Sequence, residues 1–316
     1  MPVLKIGSRG SELALWQSNW VKSELERQHP GLTVELTIIK TTGDKILDAP
    51  LSKIGDKGLF TKELEVALLN NTVDIAVHSL KDVPTAVPEG LVIGAITKRA
   101  DVRDAFISHP KKGYTSFESI PHGGKIATGS LRRKCQLLSW RPDLQILDIR
   151  GNLNTRMAHL DASDWDGMIL AQAGVARLGW SHRISEVLPV EKVLPAVGQG
   201  ALGIELRTGD AQSLKYIRVL ASEATEVSTK GERAFLRFLE GGCQVPIGTF
   251  GRIENNVFHL DAMIGSLDGK KVVRGKIHGE PALSEVLAVQ LAELLYSTGG
   301  REILEQVRRE SGEPTH

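Results

Sequence analysis

The chain has 316 residues, of which 41% are hydrophobic and 24% are charged, and its formal net charge is +1. This composition is typical of a globular protein with two or three domains. A charge so close to neutral argues against a general polyanion-binding protein, and no apolar run reaches the roughly 18 residues that a membrane span requires. With two cysteines and no secretory signal pattern, the sequence predicts a cytoplasmic protein without a disulfide framework.

Strand and helix patterns alternate through the first hundred residues. A strand at 3–8 precedes a helix that Ser11 is expected to cap and Pro30 to end. The other elements of this α/β unit are strands at 32–41, 73–80 and 91–97 and a helix near 61–71. Between them lies a long Gly/Lys/Asp-rich loop at 43–60, which we interpret as a lid.

A second βαβ series follows the charged link "KRADVRD" and runs from "KIATGS" to the helix "AGVARLGW". One more apolar strand, "ALGIEL" at 201–206, comes next. From about residue 222 the pattern changes to an amphipathic helix, strands separated by "ENN" and "LDGK" turns, and a C-terminal helix pair. The sequence therefore predicts three α/β domains.

Six arginines lie in or near the turns that follow predicted strands. Ligands of parallel α/β sheets bind beyond the carboxyl ends of the strands, where loops and helix N-termini converge. Guanidinium groups suit carboxylates and phosphates, so we expect a ligand with several anionic groups. The six are Arg9, Arg132, Arg133, Arg150, Arg156 and Arg177.

Other ligand classes fit this pattern less well. The chain lacks the basic helix face, zinc spacing and aromatic stacking motif of nucleic-acid modules. It has neither the full glycine fingerprint of a dinucleotide site nor a Walker-type loop. Its nine histidines and two cysteines form no cluster with metal-ligand spacing, so we expect no metal.

Two polar residues have unusual settings. Asp82 in "AVHSLKDVPT" follows a strand that reads as buried and precedes Pro84, so it either caps a turn or faces a cleft as a proton-transfer and cation-stabilising group. Cys243 in "LEGGCQVPIG" follows two glycines, where we expect an exposed, sharply bent backbone. A buried structural thiol is the alternative for Cys243, and it is the interpretation that we adopt for Cys135.

Several long motifs together resemble the porphobilinogen deaminase family, also called hydroxymethylbilane synthases. The resemblance runs from Gly7 to beyond Gly248. Its strongest stretches are "TTGDKILDAPLSKIG", "VHSLKDVPT", "SLRRKCQL", "IRGNLNTR", "AVGQGALGIE" and "ERAFLRFLEGGCQVPIG".

The resemblance implies a function, a cofactor and a fold. Four porphobilinogens are joined head to tail onto a dipyrromethane cofactor with loss of ammonia, and water then releases the tetrapyrrole. The fold implied has two domains that resemble type II periplasmic binding proteins and a smaller C-terminal α/β domain. The corresponding ranges are 1–100 with 200–218, 101–199, and 219–316. The expected partner is small-molecule porphobilinogen, without nucleic acid or membrane, and we expect a monomer.

Specific residues acquire roles from this resemblance. Cys243 carries the cofactor through a thioether, and Asp82 faces the pyrrole nitrogens as the catalytic residue. Lys53, Lys57 and Phe60 belong to the lid. Residues expected to bind cofactor or substrate are Arg9, Ser11, Ser79, Lys81, Thr128, Ser130, Arg132, Arg133, Arg150, Arg156, Arg177 and Gln199.

Two positions depart from the family pattern. Gly129 in "ATGSLRR" stands where a serine is expected, so one hydroxyl contact is in doubt. Asp56 stands in the lid where a glycine occurs in some members, which bears on loop mobility.

Two other classes stay open at this point. A two-lobed binding protein or effector domain shares the architecture but needs neither a third domain nor a cysteine in a Gly-Gly turn. A cysteine hydrolase needs a histidine beside the thiolate, and the sequence places none near Cys243.

Overall fold

The computed structural model describes residues 2–45, 58–239 and 245–311. These residues form two compact units, each described by itself below. The first unit contains the described residues of 2–45, 58–100 and 198–226, and the second contains 101–197, 227–239 and 245–311.

The described strands follow the predicted alternation closely. The predicted strand at 32–41 is shorter than expected, since the strand spans only Thr33–Ile38. In chain order the strands are β1 (Val3–Ser8), β2 (Thr33–Ile38), β3 (Ile75–Ser79), β4 (Leu91–Ile96), β5 (Asp104–Ser108), β6 (Lys125–Ala127), β7 (Gln145–Leu147), β8 (Gly167–Ala171), β9 (Glu186–Val187), β10 (Leu202–Arg207), β11 (Ile247–Glu254), β12 (Val257–Gly265) and β13 (Val272–Gly279).

Several helices begin at a capping side chain, among them the N-caps Ser11, Ser130, Asn152 and Asp210. Ser11 accepts a hydrogen bond from the Ala14 N–H at 3.4 Å, as predicted, and that helix ends two residues before Pro30. The helices are α1 (Glu12–Gln28), α2 (Thr42–Lys45), α3 (Lys62–Leu69), α4 (Leu131–Trp140), α5 (Leu153–Ala162), α6 (Gln172–Arg177), α7 (Ala211–Ile217), α8 (Glu223–Phe238), α9 (Ser284–Leu295) and α10 (Arg301–Ser311).

The first unit has a five-stranded sheet in the order β2-β1-β3-β10-β4. Strands β1, β2 and β3 are parallel, whereas β10 is antiparallel to both β3 and β4. Helix α1 contributes Val21 and Leu25 to the core on one face, and α3 contributes Leu64 and Leu68 on the other. The carboxyl ends of β1 and β3 therefore share one edge of the sheet, which we call the first edge.

The second unit contains another five-stranded sheet, in the order β7-β6-β8-β5-β9. Its parallel strands β7, β6 and β8 lie side by side, as β2, β1 and β3 do in the first sheet. The antiparallel strand β5 lies beside β8. The carboxyl ends of β6, β7 and β8 share an edge with the start of β5, because Asp104 pairs with Ala171. We call this the second edge.

The C-terminal part of the second unit is a separate antiparallel sheet, β11-β12-β13, covered by α9 and α10. Phe258 and Leu260 of β12 are fully buried against Leu291 and Leu304 of these helices. The prediction of an α/β fold with a smaller C-terminal region is confirmed.

Helix α4 packs tightly against the turn between β12 and β13. Cys135 of α4 is fully buried and belongs to a small core cluster with Leu194 and Met263. Gly265 leaves room for the sulfur, because a Cβ at that position would overlap with the Cys135 Sγ. Burial raises the pKa of the Cys135 thiol to about 12, so this cysteine is unreactive at neutral pH.

Gly265→Ala should lower the free energy of unfolding by about 1–3 kcal/mol, because the added methyl overpacks the contact with Cys135. Adding Cys135→Ala removes the sulfur from the same space, so the double variant should lose less than the sum of the single losses. Denaturant titration of the three variants and the parent measures this. Additive losses would show that the sulfur does not require the glycine.

Candidate active site

At the first edge, the chain leaves β3 through a short 3₁₀ turn, Leu80–Asp82. Arg9 follows the neighbouring parallel strand β1, so Arg9, Lys81 and Asp82 all follow strand ends at this edge. Asp82 is exposed and Lys81 is half-buried. A carboxylate and two cations at one sheet edge form an arrangement that can bind an anionic molecule and exchange protons with it.

Leu80 anchors this turn in the core. Its side chain is 1% exposed, and its N–H donates to the Ala201 carbonyl at 3.0 Å. Gly198 and Gly203 both approach it closely, since a Cβ at either position would lie 3.0 Å from a Leu80 side-chain atom. Gly198 also has a φ of +71°, so a larger residue there would strain the backbone as well.

Arg9 and two further predicted residues of the first unit, Ser11 and Gln199, each make a defined contact. The Arg9 guanidinium lies over the Phe60 ring, 4.2 Å from its centroid, in a cation–π contact. Ser11 caps α1, so its hydroxyl oxygen already accepts one hydrogen bond. Gln199 is buried just before β10, and its carbonyl accepts from Arg99 Nε at 2.7 Å.

At the second edge, α4 begins immediately after β6. Its N-cap, Ser130, accepts from the Arg133 N–H at 3.4 Å, and the Thr128 hydroxyl oxygen accepts from the Ser130 N–H at 3.3 Å. These contacts place Arg132 and Arg133 in the first turn of the helix, as predicted. Both arginine side chains are nearly completely buried.

A buried aspartate holds the two guanidinium groups. Asp104 is fully buried, and its two carboxylate oxygens each accept from one arginine, Arg132 Nη1 and Arg133 Nη2, both at 2.8 Å. Burial alone would raise the pKa of this carboxyl, but the two guanidiniums more than reverse that effect and hold the pKa well below its usual range. Two cations with one anion leave a net positive charge inside the protein.

The arginines also bind backbone carbonyls. Arg132 Nη1 donates to the Leu194 carbonyl at 2.6 Å, and Arg133 Nη1 donates to the Ile169 carbonyl at 3.1 Å. Among the described residues, the buried Arg133 Nε has no hydrogen-bond partner. A buried N–H without a partner is costly, so this atom favours an acceptor from a bound molecule.

Three further arginines lie in the segments that follow β7 and β8. Burial lowers the pKa of Arg177, at the end of α6, to about 10, and it also lowers the pKa of Arg150, which follows β7. Arg156 lies in the first turn of α5, and its Nε donates to the Gly151 carbonyl at 2.8 Å. Desolvated guanidiniums of this kind are stabilised by an anionic ligand.

Gly129 has a backbone reason to be glycine here. A Cβ at this position would lie 2.6 Å from the Ile149 carbonyl oxygen, so a serine would not fit without a shift. Three predicted site residues, Lys53, Lys57 and Cys243, lie outside the described residues, as does Asp56.

Sequence reasoning missed Asp104 and Gln17. Asp104 opens the otherwise apolar strand "DAFIS", and a charged residue in a fully buried strand was the signal that could have identified it. Gln17 is buried in α1, and its Nε2 donates to the Ser79 hydroxyl at 2.8 Å. No sequence pattern links Gln17 with Ser79, because the two residues are 62 positions apart.

The described residues show neither a metal-binding cluster nor a membrane-spanning helix. In these ranges no three His, Cys, Asp or Glu side chains are grouped so that they could hold a metal ion. None of the helices within them has the length and apolar character needed to span a bilayer.

Comparison with known families covers most of the chain. Residues 4–215 match the porphobilinogen deaminase dipyrromethane cofactor binding domain, and residues 227–297 match the porphobilinogen deaminase C-terminal domain. A porphobilinogen deaminase of Chlorobaculum tepidum is 53% identical over 97% of this chain and 98% of its own length. One of Desulforamulus reducens is 50% identical over 96% of this chain and 98% of its own length.

Solved structures give a weaker likeness. The methionine binding protein MetQ matches with a TM-score of 0.44 and 15% identity, covering 68% of this chain and 87% of MetQ. The periplasmic VFT2 domain of Bordetella pertussis BvgS matches with a TM-score of 0.41 and 13% identity, covering 68% and 85%. Values this low carry no information about function.

Asp104→Asn should lower the free energy of unfolding at pH 6 by about 3–5 kcal/mol, because it leaves two buried guanidiniums without their counter-charge. The folded-state pKa of Asp104 is depressed, so its contribution is present above the pKa of an unfolded Asp, about 3.9, and is lost as pH falls further. The difference between variant and parent should therefore narrow at pH 3.

Denaturant titrations at both pH values measure this difference. Asp164→Asn is the matched control, because Asp164 is exposed and pairs with Lys125 at the surface, so its loss should change stability little. A difference for Asp104→Asn that is small at pH 6, or that widens at pH 3, would contradict the prediction.

Proposed function

Because the chain belongs to the porphobilinogen deaminase family, we propose that the arginines at its two sheet edges bind the carboxylate arms of porphobilinogen and that Asp82 carries out the proton transfers. The chain is a transferase of tetrapyrrole biosynthesis that uses a dipyrromethane cofactor. The family match favours this function over the alternatives of a binding protein or a cysteine hydrolase.

One observation carries the proposal for the arginines: a net positive charge is buried at the second edge, and the Arg133 Nε there has no partner among the described residues. The residues present fit a group that bears several carboxylates, because Arg133, Arg150 and Arg177 can each donate to one. When bound, the dipyrromethane supplies the pyrrole carbon onto which the substrate is joined. Thr128, Ser130, Arg132 and Arg156 would hold acidic arms of cofactor or substrate beside them.

At the first edge, Arg9, Ser11, Ser79, Lys81 and Gln199 would bind the substrate around Asp82. The exposed Asp82 carboxylate can approach a pyrrole nitrogen, stabilise the positive charge that loss of ammonia leaves on the substrate, and take up or return a proton. The anchored Leu80 supports this role, because it fixes where the following two residues lie.

The cofactor attachment point, Cys243, and the lid residues Lys53 and Lys57 fall outside the described residues. We propose Cys243 as the attachment point, because the other cysteine, Cys135, is buried with a raised pKa. Phe60, with Lys53 and Lys57, would form the lid, and the Arg9–Phe60 contact supports that assignment for Phe60.

The domain boundaries, the compartment and the oligomeric state are also proposals. The division into 1–100 with 200–218, 101–199 and 219–316 is supported by β10, which lies in the first sheet, and by the separate sheet β11-β12-β13. A cysteine that must be a free thiol before attachment suits the reducing cytoplasm. A monomer is our proposal for the oligomeric state.

Cys243→Ser should abolish the covalent adduct, because an alcohol is a much poorer nucleophile than a thiolate. Intact-protein mass spectrometry of the purified enzyme measures the adduct directly. Cys135→Ala is the matched control and should keep the full adduct mass. An adduct that survives Cys243→Ser, or that maps to a Cys135 peptide, would refute the assignment.

Asp82→Asn should reduce single-turnover consumption of porphobilinogen by about 100-fold, because the amide keeps the shape but loses both charge and proton-transfer capacity. Asp82→Glu should retain more activity than Asp82→Asn, although a displacement of about 1 Å is itself costly. Both variants must first be shown by mass to carry the cofactor. Near-normal turnover in a fully loaded Asp82→Asn enzyme would reduce Asp82 to a turn-capping residue.

A further inference from the structure

A buried histidine–glutamate pair lies inside the first unit, and neither residue has been assigned to binding or catalysis. The His78 Nε2 and the Glu205 Oε2 are 2.9 Å apart, and the two residues are 5% and 0% exposed. Because a carboxylate only accepts hydrogen bonds, the His78 Nε2 donates in this contact. Buried polar groups are retained at a cost, so this pair needs an explanation.

The pair joins the strand that leads to Asp82 with its antiparallel neighbour. His78 of β3 lies opposite Gly203 of β10, and Glu205 lies opposite Ala76, so the two side chains meet diagonally across the strand pair. Glu205 Oε1 has no hydrogen-bond partner within the described residues. His78 is therefore the polar contact that this buried carboxylate depends on in the described part of the chain.

The same face of the sheet is covered by α3. Glu65 of α3 is buried near the pair, and burial raises its pKa, with the neighbouring Glu205 charge adding to the effect. A second carboxyl group so close makes the Glu205 charge less favourable. Glu205 therefore depends more on a hydrogen-bond donor. His78 lies near the end of β3, four residues before Asp82.

The last two residues of β3 are held from opposite faces of the sheet. His78 is held by Glu205 on the α3 face, and Ser79 accepts from Gln17 Nε2 on the α1 face at 2.8 Å. The next residue, Leu80, is fixed by its N–H bond to the Ala201 carbonyl. Backbone rotation at the end of β3 is therefore restricted immediately before Lys81 and Asp82.

We propose that His78 and Glu205 are positioning residues, whose hydrogen bond fixes the direction in which the turn after β3 presents Asp82. This inference rests on the proposed catalytic role of Asp82. Small displacements of a catalytic group have large effects on rate, because the reacting atoms must lie within about 3–3.5 Å of each other. Loss of the pair should therefore reduce turnover more than substrate binding.

The test uses cofactor-loaded holoenzyme, with loading verified by mass, and porphobilinogen as substrate. His78→Phe keeps a ring but removes the donor, and it should lower kcat on the order of 10-fold while KM changes less than about twofold. Because a lone buried Glu205 carboxylate could prevent folding, His78→Phe/Glu205→Leu is made in parallel. Replacing both partners by apolar groups is far better tolerated.

The decisive experiment introduces the His78 and Glu205 substitutions into the Asp82→Asn enzyme. A positioning role predicts no further loss there, since the direction of an absent carboxylate no longer matters. A merely structural role predicts that the fold-decrease in kcat from the substitutions at the pair multiplies with the fold-decrease from Asp82→Asn. Ile204→Val is the matched control: it lies in the core on the other side of β10, and it should lower the melting temperature without changing kcat.

Each outcome assigns failure to one proposal. Multiplied losses, an unchanged kcat in the paired apolar variant, or an equal loss in Ile204→Val would overturn the positioning role while leaving Asp82 as catalytic. Near-normal turnover in Asp82→Asn alone would overturn the proposed catalytic role of Asp82, and the positioning role with it.

Discussion

The buried carboxylate of Asp104 is the constraint on which the second edge depends. Two adjacent arginines in the first turn of α4 would repel each other and lose hydration if they were buried alone. Asp104 gives each of them one oxygen at 2.8 Å, which fixes both guanidiniums and still leaves one net positive charge. We therefore propose that an anion-binding site is formed before any ligand arrives, because the arginines are already ordered.

At the first edge, the position of the charged residue is fixed in a different way. Asp82 is exposed, and the residues before it are fixed by the packing of Leu80 and by the hydrogen bonds that the His78 and Ser79 side chains make. Both edges thus place charged side chains on a backbone that is held in position. This division suits an enzyme whose substrate and cofactor carry many carboxylates, since the scaffold determines geometry and the side chains supply charge.

The sequence predicted the positions of most elements and of the arginines, because strand ends and helix starts follow hydrophobic periodicity and capping residues such as Ser11. It also led to the family through long motifs. It could not reveal the partners of buried charges. Asp104 is 28 residues from Arg132, and His78 is 127 residues from Glu205, and neither separation follows any local period. Such contacts depend on strand order, which no local pattern encodes.

The central claim is that Asp104 keeps Arg132 and Arg133 in place while the remaining guanidinium donors bind the ligand. The most direct measurement is a crystal structure of the cofactor-loaded enzyme. We expect both Asp104 contacts to stay near 2.8 Å and a ligand carboxylate oxygen to lie about 2.7–2.9 Å from Arg133 Nε. A structure in which the ligand carboxylates displace Asp104, or leave Arg133 Nε without an acceptor, would contradict it.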